Sequence, residues 1–356
     1  MNRRSVLKFL GVAGIVLGGG LTAARAFGGN RYYQGPPSDH FDGSLFFNPK
    51  GEEPKGFTDL LRWQLGGGKA EWPSRWPQPP LTAPDTPERV TGETLRVTMI
   101  GHATCLIQVS GLNILTDPVY SYRASPFSFA GPERVNPPGI AFDDLPPIHV
   151  VLVSHNHYDH MDVDTLARLA QRDIPVVCTP LGNDTIIRER VPGMRIVVQD
   201  WGDVAEIGPL RIHSEPSHHW SARGVTDRRM ALWSSFMIEG PAGLIYVAGD
   251  TGFHDGRNYR DARARHGSVR LAVLPIGAYE PRWFMRPQHQ NPDEAVAGFK
   301  LLDAAYGVGY HWGTFQLTDE AITDPRDRLH AALYVEGIAR DRFRPLLAGE
   351  SFDVPG

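Results

Sequence analysis

His155-Asn156-His157-Tyr158-Asp159-His160 packs three imidazoles and one carboxylate into six residues. These are the side chains that ligate zinc and related divalent ions. Four such ligands in so short a run either crowd one ion or divide between two. Three candidates of the same chemistry stand downstream: His219 in Ser217-His218-His219-Trp220, Asp250 in Ala248-Gly249-Asp250-Thr251-Gly252, and His311 in Tyr310-His311-Trp312-Gly313. His218 adjoins His219, and neighbours on a strand point to opposite sides, so His218 is not expected to be a ligand. His40, His149, His213, His254, His266 and His330 read as surface or core residues. The two cysteines, Cys105 and Cys178, cannot build a disulfide framework or a cysteine-only zinc site. They fall in apolar runs and read as buried free thiols.

A cluster drawn from such distant positions needs elements that converge. Leu95–Ile100, Thr104–Val109 and Asn113–Thr116 alternate or run apolar, as consecutive strands do. His149–Ser154 reads as a buried strand feeding directly into the histidine-rich run. Helical periodicity follows at Val163–Gln171 and Asp184–Arg190, with a strand at Pro175–Thr179 between them. Further strands are expected at Arg195–Val198, Leu210–His213, Ser235–Glu239, Leu244–Ala248, Leu271–Ile276 and Gly307–Tyr310. Asn291-Pro292-Asp293-Glu294 has the cap, first-position proline and third-position acid of a helix start, and that helix should reach about Ala304. A last helix is expected over about Pro325–Ala339. Strands outnumber helices, which points to a layered α/β fold with sheets inside and helices outside. Asp250, His219 and His311 then sit at strand ends, and strand ends on one rim of a sheet converge.

The chain has 356 residues, with 36 basic and 40 acidic side chains for a net charge of −4. At 41% hydrophobic and 21% charged residues it has a globular composition. The acid excess disfavours a general nucleic-acid binder. Residues 1–26 read as an address. Arg3-Arg4 followed by Ser5-Val6-Leu7-Lys8 resembles the twin-arginine export motif, and Ala24-Arg25-Ala26 supplies a small-x-small cleavage pattern. The uncharged stretch Phe9–Ala24 is shorter than the ~20 residues that span a bilayer. A short uncleaved anchor is the alternative. The twin-arginine machinery carries folded proteins, so this route suits a protein that loads metal before export. It implies a periplasmic location, with possible peripheral membrane contact. Removing residues 1–26 takes away Arg3, Arg4, Lys8 and Arg25 and no acid, which leaves 32 bases, 40 acids and a charge of −8. Nothing in the sequence sets an oligomeric state.

Residues 27–92, rich in Gly, Pro and Trp, read as an irregular extension with one short helix around Phe57–Leu65. Trp63, Trp72 and Trp76 either face lipid or cover a core. Residues 93–356 read as one domain.

The order His-x-His-x-Asp-His, a lone His, an Asp in a Gly-Asp-Thr turn and a final His resembles the metallo-β-lactamase superfamily. Within it the chain is similar to the N-acylphosphatidylethanolamine-hydrolysing phospholipase D family. Gly101-His102-Ala103-Thr104, Leu115-Thr116-Asp117-Pro118, Arg123-Ala124-Ser125-Pro126 and the run His155–Asp162 carry the resemblance. So do His219-Trp220, Trp233 to Ser235, Pro275–Met285, Gln288-His289 and His311–Phe315. It spans roughly residues 45–350.

The resemblance implies an αββα sandwich, two mixed β-sheets flanked by helices. It implies that His155, His157 and His219 hold one zinc ion and that Asp159, His160 and His311 hold a second. Asp250 would bridge the two, as would a water or hydroxide. Other divalent metals fit the same ligands. Two divalent ions less two carboxylates and one hydroxide leave a first shell near +1, able to receive a phosphodiester. The implied activity is hydrolysis of N-acylphosphatidylethanolamine-type phospholipids to N-acylethanolamine and phosphatidic acid, with hydroxide attacking phosphorus. Diiron relatives commonly carry Glu at the position of His157, so His157 favours a zinc hydrolase. His289 is implied to line the substrate pocket, orienting phosphate or protonating the leaving group; entry to the following helix is its alternative role. Asp117, grouped with the catalytic candidates, is either a partner for a metal-bound histidine or a turn residue, and His102 carries the same ambiguity. Other readings are a hydrolase of lactones, β-lactams or sugar phosphates, or an exported metal-binding protein without turnover.

Overall fold

The computed structural model describes residues 29–77, 81 and 85–356. The export motif and cleavage pattern of residues 1–26 lie outside them. In chain order the strands are β1 (Leu95–Gly101), β2 (Thr104–Val109), β3 (Leu112–Thr116), β4 (Val150–Leu152), β5 (Val176–Pro180), β6 (Arg195–Gln199) and β7 (Val204–Ile207). They continue with β8 (Leu210–Glu215), β9 (Ser235–Gly240), β10 (Gly243–Val247), β11 (Leu271–Pro275), β12 (Tyr306–Tyr310), β13 (Phe343–Pro345) and β14 (Ser351–Val354). The α-helices are α1 (Phe57–Gly66), α2 (Val163–Arg172), α3 (Asn183–Arg190), α4 (Arg257–His266), α5 (Arg282–Met285), α6 (Pro292–Leu301) and α7 (Asp324–Val335).

Two-residue alternation along buried strands builds the layers. Leu95, Val97 and Met99 of β1, Phe236 and Ile238 of β9, and Leu271 and Val273 of β11 share one apolar cluster. Their neighbours point the other way. Leu106, Leu115, Val151 and Val177 pack with Leu166 and Leu169 of α2 and Ile187 of α3. Met237, Tyr246, Ala272 and Leu274 pack with Tyr259 of α4, Val296 and Phe299 of α6 and Leu329 of α7. Both faces of each sheet are thus buried, which explains the near-continuous apolar runs. The result is a helix–sheet–sheet–helix sandwich of two mixed seven-stranded sheets, ordered β14-β1-β2-β3-β4-β5-β6 and β13-β12-β11-β10-β9-β8-β7.

The predicted cap of the helix after His289 is present: Asn291 Oδ1 accepts from Glu294 N at 2.9 Å, and Glu294 Oε2 accepts from Asn291 N at 2.9 Å. Five elements departed from expectation or went unread. Edge strand β7 alternates but is half solvent-facing, and β13 and β14 have only three and four residues. Helix α4, Arg-Asn-Tyr-Arg-Asp-Ala-Arg-Ala-Arg-His, buries only Tyr259 and Ala262 and so lacks an apolar stripe. Helix α7 stops at Val335 rather than Ala339, because the chain turns at Gly337 with φ 66°.

The N-terminal extension is packed down. Phe41 and Phe46 join Leu232 and Trp233 in a buried cluster. Trp63 donates to Asp319 Oδ2 at 2.8 Å, Trp72 donates to the Glu320 carbonyl at 2.9 Å, and Trp76 lies edge-on to Trp312 with centroids 5.5 Å apart. All three tryptophans are half-buried and act as fasteners of the extension. Among the described residues no helix is long and apolar enough to cross a membrane. Cys105 and Cys178 are buried free thiols.

Candidate metal centre

Several strands end at one rim of the sandwich. Strand β3 delivers Asp117, β4 delivers His155 to His160, β8 delivers His219, β10 delivers Asp250 and β12 delivers His311. The backbone there is unlike the strands that feed it. His102, Asp117 and His311 have φ of 56°, 35° and 64°, a region that costs non-glycine residues about 1–2 kcal/mol. Two glycines permit the close approach. A Cβ on Gly249 would lie 2.8 Å from Ser154 Cβ, and one on Gly277 would lie 2.2 Å from the His311 carbonyl oxygen.

The structure brings all seven predicted ligand candidates together. His155 Nε2 lies 2.9 Å from His157 Nδ1, which lies 3.2 Å from His219 Nε2. A second group gathers beside it: His160 Nε2 is 3.1 Å from His311 Nε2, and each is 3.4 Å from Asp159 Oδ2. Asp250 faces both groups. Its Oδ2 is 3.1 Å from His160 Nε2 and 3.7 Å from His219 Nε2, and its Oδ1 is 3.2 Å from His311 Nε2.

The outward ring nitrogens are occupied, which sets the tautomers. His155 Nδ1 donates to Ser154 Oγ at 2.9 Å, His160 Nδ1 to Asp117 Oδ2 at 2.8 Å, and His219 Nδ1 to the Gln288 carbonyl at 3.0 Å. Each turns Nε2 inward, where a neutral ring offers its lone pair to a cation. Lone pairs held about 3 Å apart in a buried site repel unless a cation lies among them. The donor set therefore fits divalent metal, and the His/Asp clusters are able to bind it.

Electrostatics agree. Burial, with the neighbouring imidazoles, pushes His155 and His157 well below the ordinary value, and burial brings His219 down to about 4. Burial alone would raise Asp159 and Asp250, but His160 above all and the other histidines hold both carboxyls well below the usual range. The same carboxylates outweigh burial at His160, which is raised well above the ordinary value, and at His311, raised to about 9. His155, His157 and His219 are thus neutral and both carboxylates ionised, while His160 and His311 hold protons where a second cation would sit.

Asp117 lies outside the reacting cluster. Its Oδ1 accepts from Ser154 N and its Oδ2 from Ser154 Oγ, both at 2.7 Å, in addition to His160. Its place is that of a positioning residue behind His160, which corrects its grouping with the catalytic candidates. His102 Nε2 is 2.9 Å from Asp159 Oδ2, the oxygen that also faces His160 and His311, so it orients that carboxylate within the second group. His289 enters the site: its Nδ1 is buried without a hydrogen bond, 3.8 Å from Asp250 Oδ2. Burial brings it down to about 3, so it is neutral at neutral pH. Ser154 and the Gln288 carbonyl escaped sequence reasoning. Their position beside a ligand was the available signal.

The cluster opens into a cavity of about 290 Å³. His157, Asp159, Asp250 and His289 form its floor, and Leu60, Trp63, Trp220, Phe284, Met285 and Leu317 line its walls. Leu60, Phe57 and Trp63 of the α1 segment pack directly on Phe284 and Met285.

An αββα sandwich with a buried His/Asp cluster at its rim is an architecture that metal-dependent hydrolases share. The β-lactamase superfamily domain matches residues 112–312. N-acyl-phosphatidylethanolamine-hydrolyzing phospholipase D 1 of Caenorhabditis elegans is 36% identical over 311 residues, covering 81% of this chain and 86% of that protein. An uncharacterized protein of Mycobacterium tuberculosis is 38% identical over 264 residues, 73% of this chain and 69% of that protein. The isothiocyanate hydrolase from Delia radicum gut bacteria superposes with a TM-score of 0.56 at 22% identity, covering 72% of this chain and 98% of that one, a likeness of fold. The chain belongs to the metallo-β-lactamase superfamily and is a metal-dependent hydrolase of it.

Proposed function

We propose that this protein is a dinuclear zinc phosphodiesterase that cleaves N-acylphosphatidylethanolamine-type phospholipids to N-acylethanolamine and phosphatidic acid. The observation that carries the reading is Asp250, whose two oxygens face the His155/His157/His219 group and the Asp159/His160/His311 group together. In this reading the first group holds one ion, the second group holds the other, and Asp250 contacts both. Two such ions supply Lewis acidity to phosphoryl oxygens and lower the pKa of a water toward ~7.

The chain's own residues do the rest. Asp117 fixes the ring of His160, and His102 fixes the carboxylate of Asp159. His289, neutral and with Nδ1 free, is suited to orienting a phosphoryl oxygen by hydrogen bonding rather than to donating a proton as imidazolium. Leu60, Trp63, Phe284 and Met285 give the acyl part of the substrate an apolar wall that also excludes water. The identity of the C. elegans relative, over most of both chains, supports a lipid phosphodiester as substrate. Export by the twin-arginine route to the periplasm, resting on residues 1–26, would bring the enzyme to lipid; cell fractionation with a tagged full-length chain tests it.

Purified protein supplied with N-acylphosphatidylethanolamine in micelles should release N-acylethanolamine and phosphatidic acid, detected by mass spectrometry. Asp250→Asn should abolish the release while the protein stays folded. Turnover of lactones or sugar phosphates by a preparation silent on the lipid would overturn the substrate.

A further inference from the structure

A second cavity, of about 410 Å³, lies away from the catalytic rim, between α7 and the segment running from β13 into β14. No residue that lines it lines the catalytic cavity. Three guanidinium groups, of Arg326, Arg340 and Arg344, meet there with the imidazole of His330. Arg326 and His330 stand four apart on one face of α7, and Arg344 reaches in from β13.

These arginines are not spent on one another's neighbours. Arg326 uses Nε for Asp327 at 2.9 Å, and Arg344 uses Nε for the Asp341 carbonyl at 3.2 Å. Arg344 also lies over the Phe352 ring, its guanidinium carbon 4.2 Å from the centroid. Arg340 makes no hydrogen bond or ion pair with any described residue. Both terminal nitrogens of all three side chains are therefore available, and two of the three forks are already fixed in place. The one acid in the lining, Glu350, accepts from Leu347 N at 2.9 Å.

Burial, then Arg340 and Arg326, lower His330, so it is neutral and adds no charge. Three guanidinium groups against Glu350 leave the lining at +2, and Asp327, paired with Arg326 beside it, brings the sum to +1. In a chain of net charge −4, that concentration is not a general basic excess. A carboxylate or a phosphodiester offers two terminal oxygens to the three forks, whereas a phosphomonoester offers three. A phosphomonoester carries ~−1.5 to −2 near neutral pH. Its oxygens also match guanidinium forks in shape, which ammonium groups do not offer.

We propose that this cavity is a phosphomonoester-binding site separate from the catalytic centre. Free phosphate, a soluble phosphate ester and the headgroup of phosphatidic acid share that chemistry. The link to phosphatidic acid as product rests on the proposed reaction; the site itself does not.

The test is calorimetric titration of the metal-loaded full-length protein with inorganic phosphate and with dihexanoyl phosphatidate, using dihexanoyl phosphatidylglycerol as the singly charged phosphodiester control. Arg340→Glu removes an unbonded, exposed side chain and should melt like wild type, with unchanged turnover of a soluble substrate. It should weaken one phosphomonoester-binding event about tenfold, and Arg340→Lys, which keeps the charge but not the fork, should weaken it by less. Recruitment to phosphatidate-containing phosphatidylcholine vesicles, lost in Arg340→Glu, would assign the lipid source. Phosphate binding without recruitment would assign the soluble one. Identical isotherms for wild type and Arg340→Glu, or equal affinity for the phosphodiester, would overturn the proposal.

Discussion

Between the sheets, Val97, Phe236 and Val273 belong to one apolar cluster and lie in ordinary strand backbone. A few residues further on, at the rim, His102, Asp117 and His311 adopt left-handed backbone, and five ligand-candidate imidazoles crowd two carboxylates. The middle follows local preference at every position: period-two burial, apolar side chains and extended conformation. The rim violates it, with strain, desolvated charge and opposed lone pairs. Such strain persists only where surrounding structure over-determines it. The two paired sheets hold the strand ends rigid, so the rim can be arranged for chemistry rather than for stability.

That division can be broken from either side. A substitution in the middle should cost stability and spare the centre. Phe236→Ala removes a fully buried ring from the inter-sheet cluster and should destabilise the fold by about 3–5 kcal/mol in chemical denaturation. The folded fraction should still bind its full complement of metal. A loss of metal at constant folded fraction would show that the two regions are not separable.

Asp117→Asn should act the other way. The side chain keeps its shape and can still accept from Ser154, but His160 loses its carboxylate partner. Metal affinity or turnover should fall about 10–100-fold, with little change in melting of the metal-free protein. Equal loss in stability and activity would make Asp117 a turn residue instead.

The smallest expected effect lies at the packed-down extension, where His40 bridges Asp39 at 2.6 Å and Asp200 at 2.7 Å. Burial opposes protonation, but the two carboxylates prevail and His40 is raised above 6.5. The charged form is therefore favoured by folding. Its contribution is complete below the unfolded value near 6.5 and is lost as pH rises through the raised folded value. His40→Ala should cost about 1–2 kcal/mol at around pH 5.5 and less at around pH 9, without altering turnover. An equal cost at both pH values would remove the charge from the account.

The rim was far easier to read from sequence than the sheet edges. Metal ligation admits few side chains, so His155 to His160 stands out even in isolation, and Asp250 and His311 each follow an apolar run. Central strands declare themselves because both faces are buried. Edge strands β7, β13 and β14 are short and partly solvated, and α4 has no apolar stripe. Asp117 and His102 were ambiguous because their roles depend on what lies opposite them after folding. Arg326, His330, Arg340 and Arg344 carry no shared motif, and only the packing of α7 beside β13 makes them neighbours.

In the proposed function, seven rim residues hold two metal ions for hydrolysis of a lipid phosphodiester. Metal content and N-acylethanolamine release, measured on the same purified sample, test it most directly. The account predicts two zinc ions per chain and turnover that falls with both ions on chelation and returns with zinc. One ion or none in a fully active preparation, or two ions with no release from N-acylphosphatidylethanolamine, would contradict it.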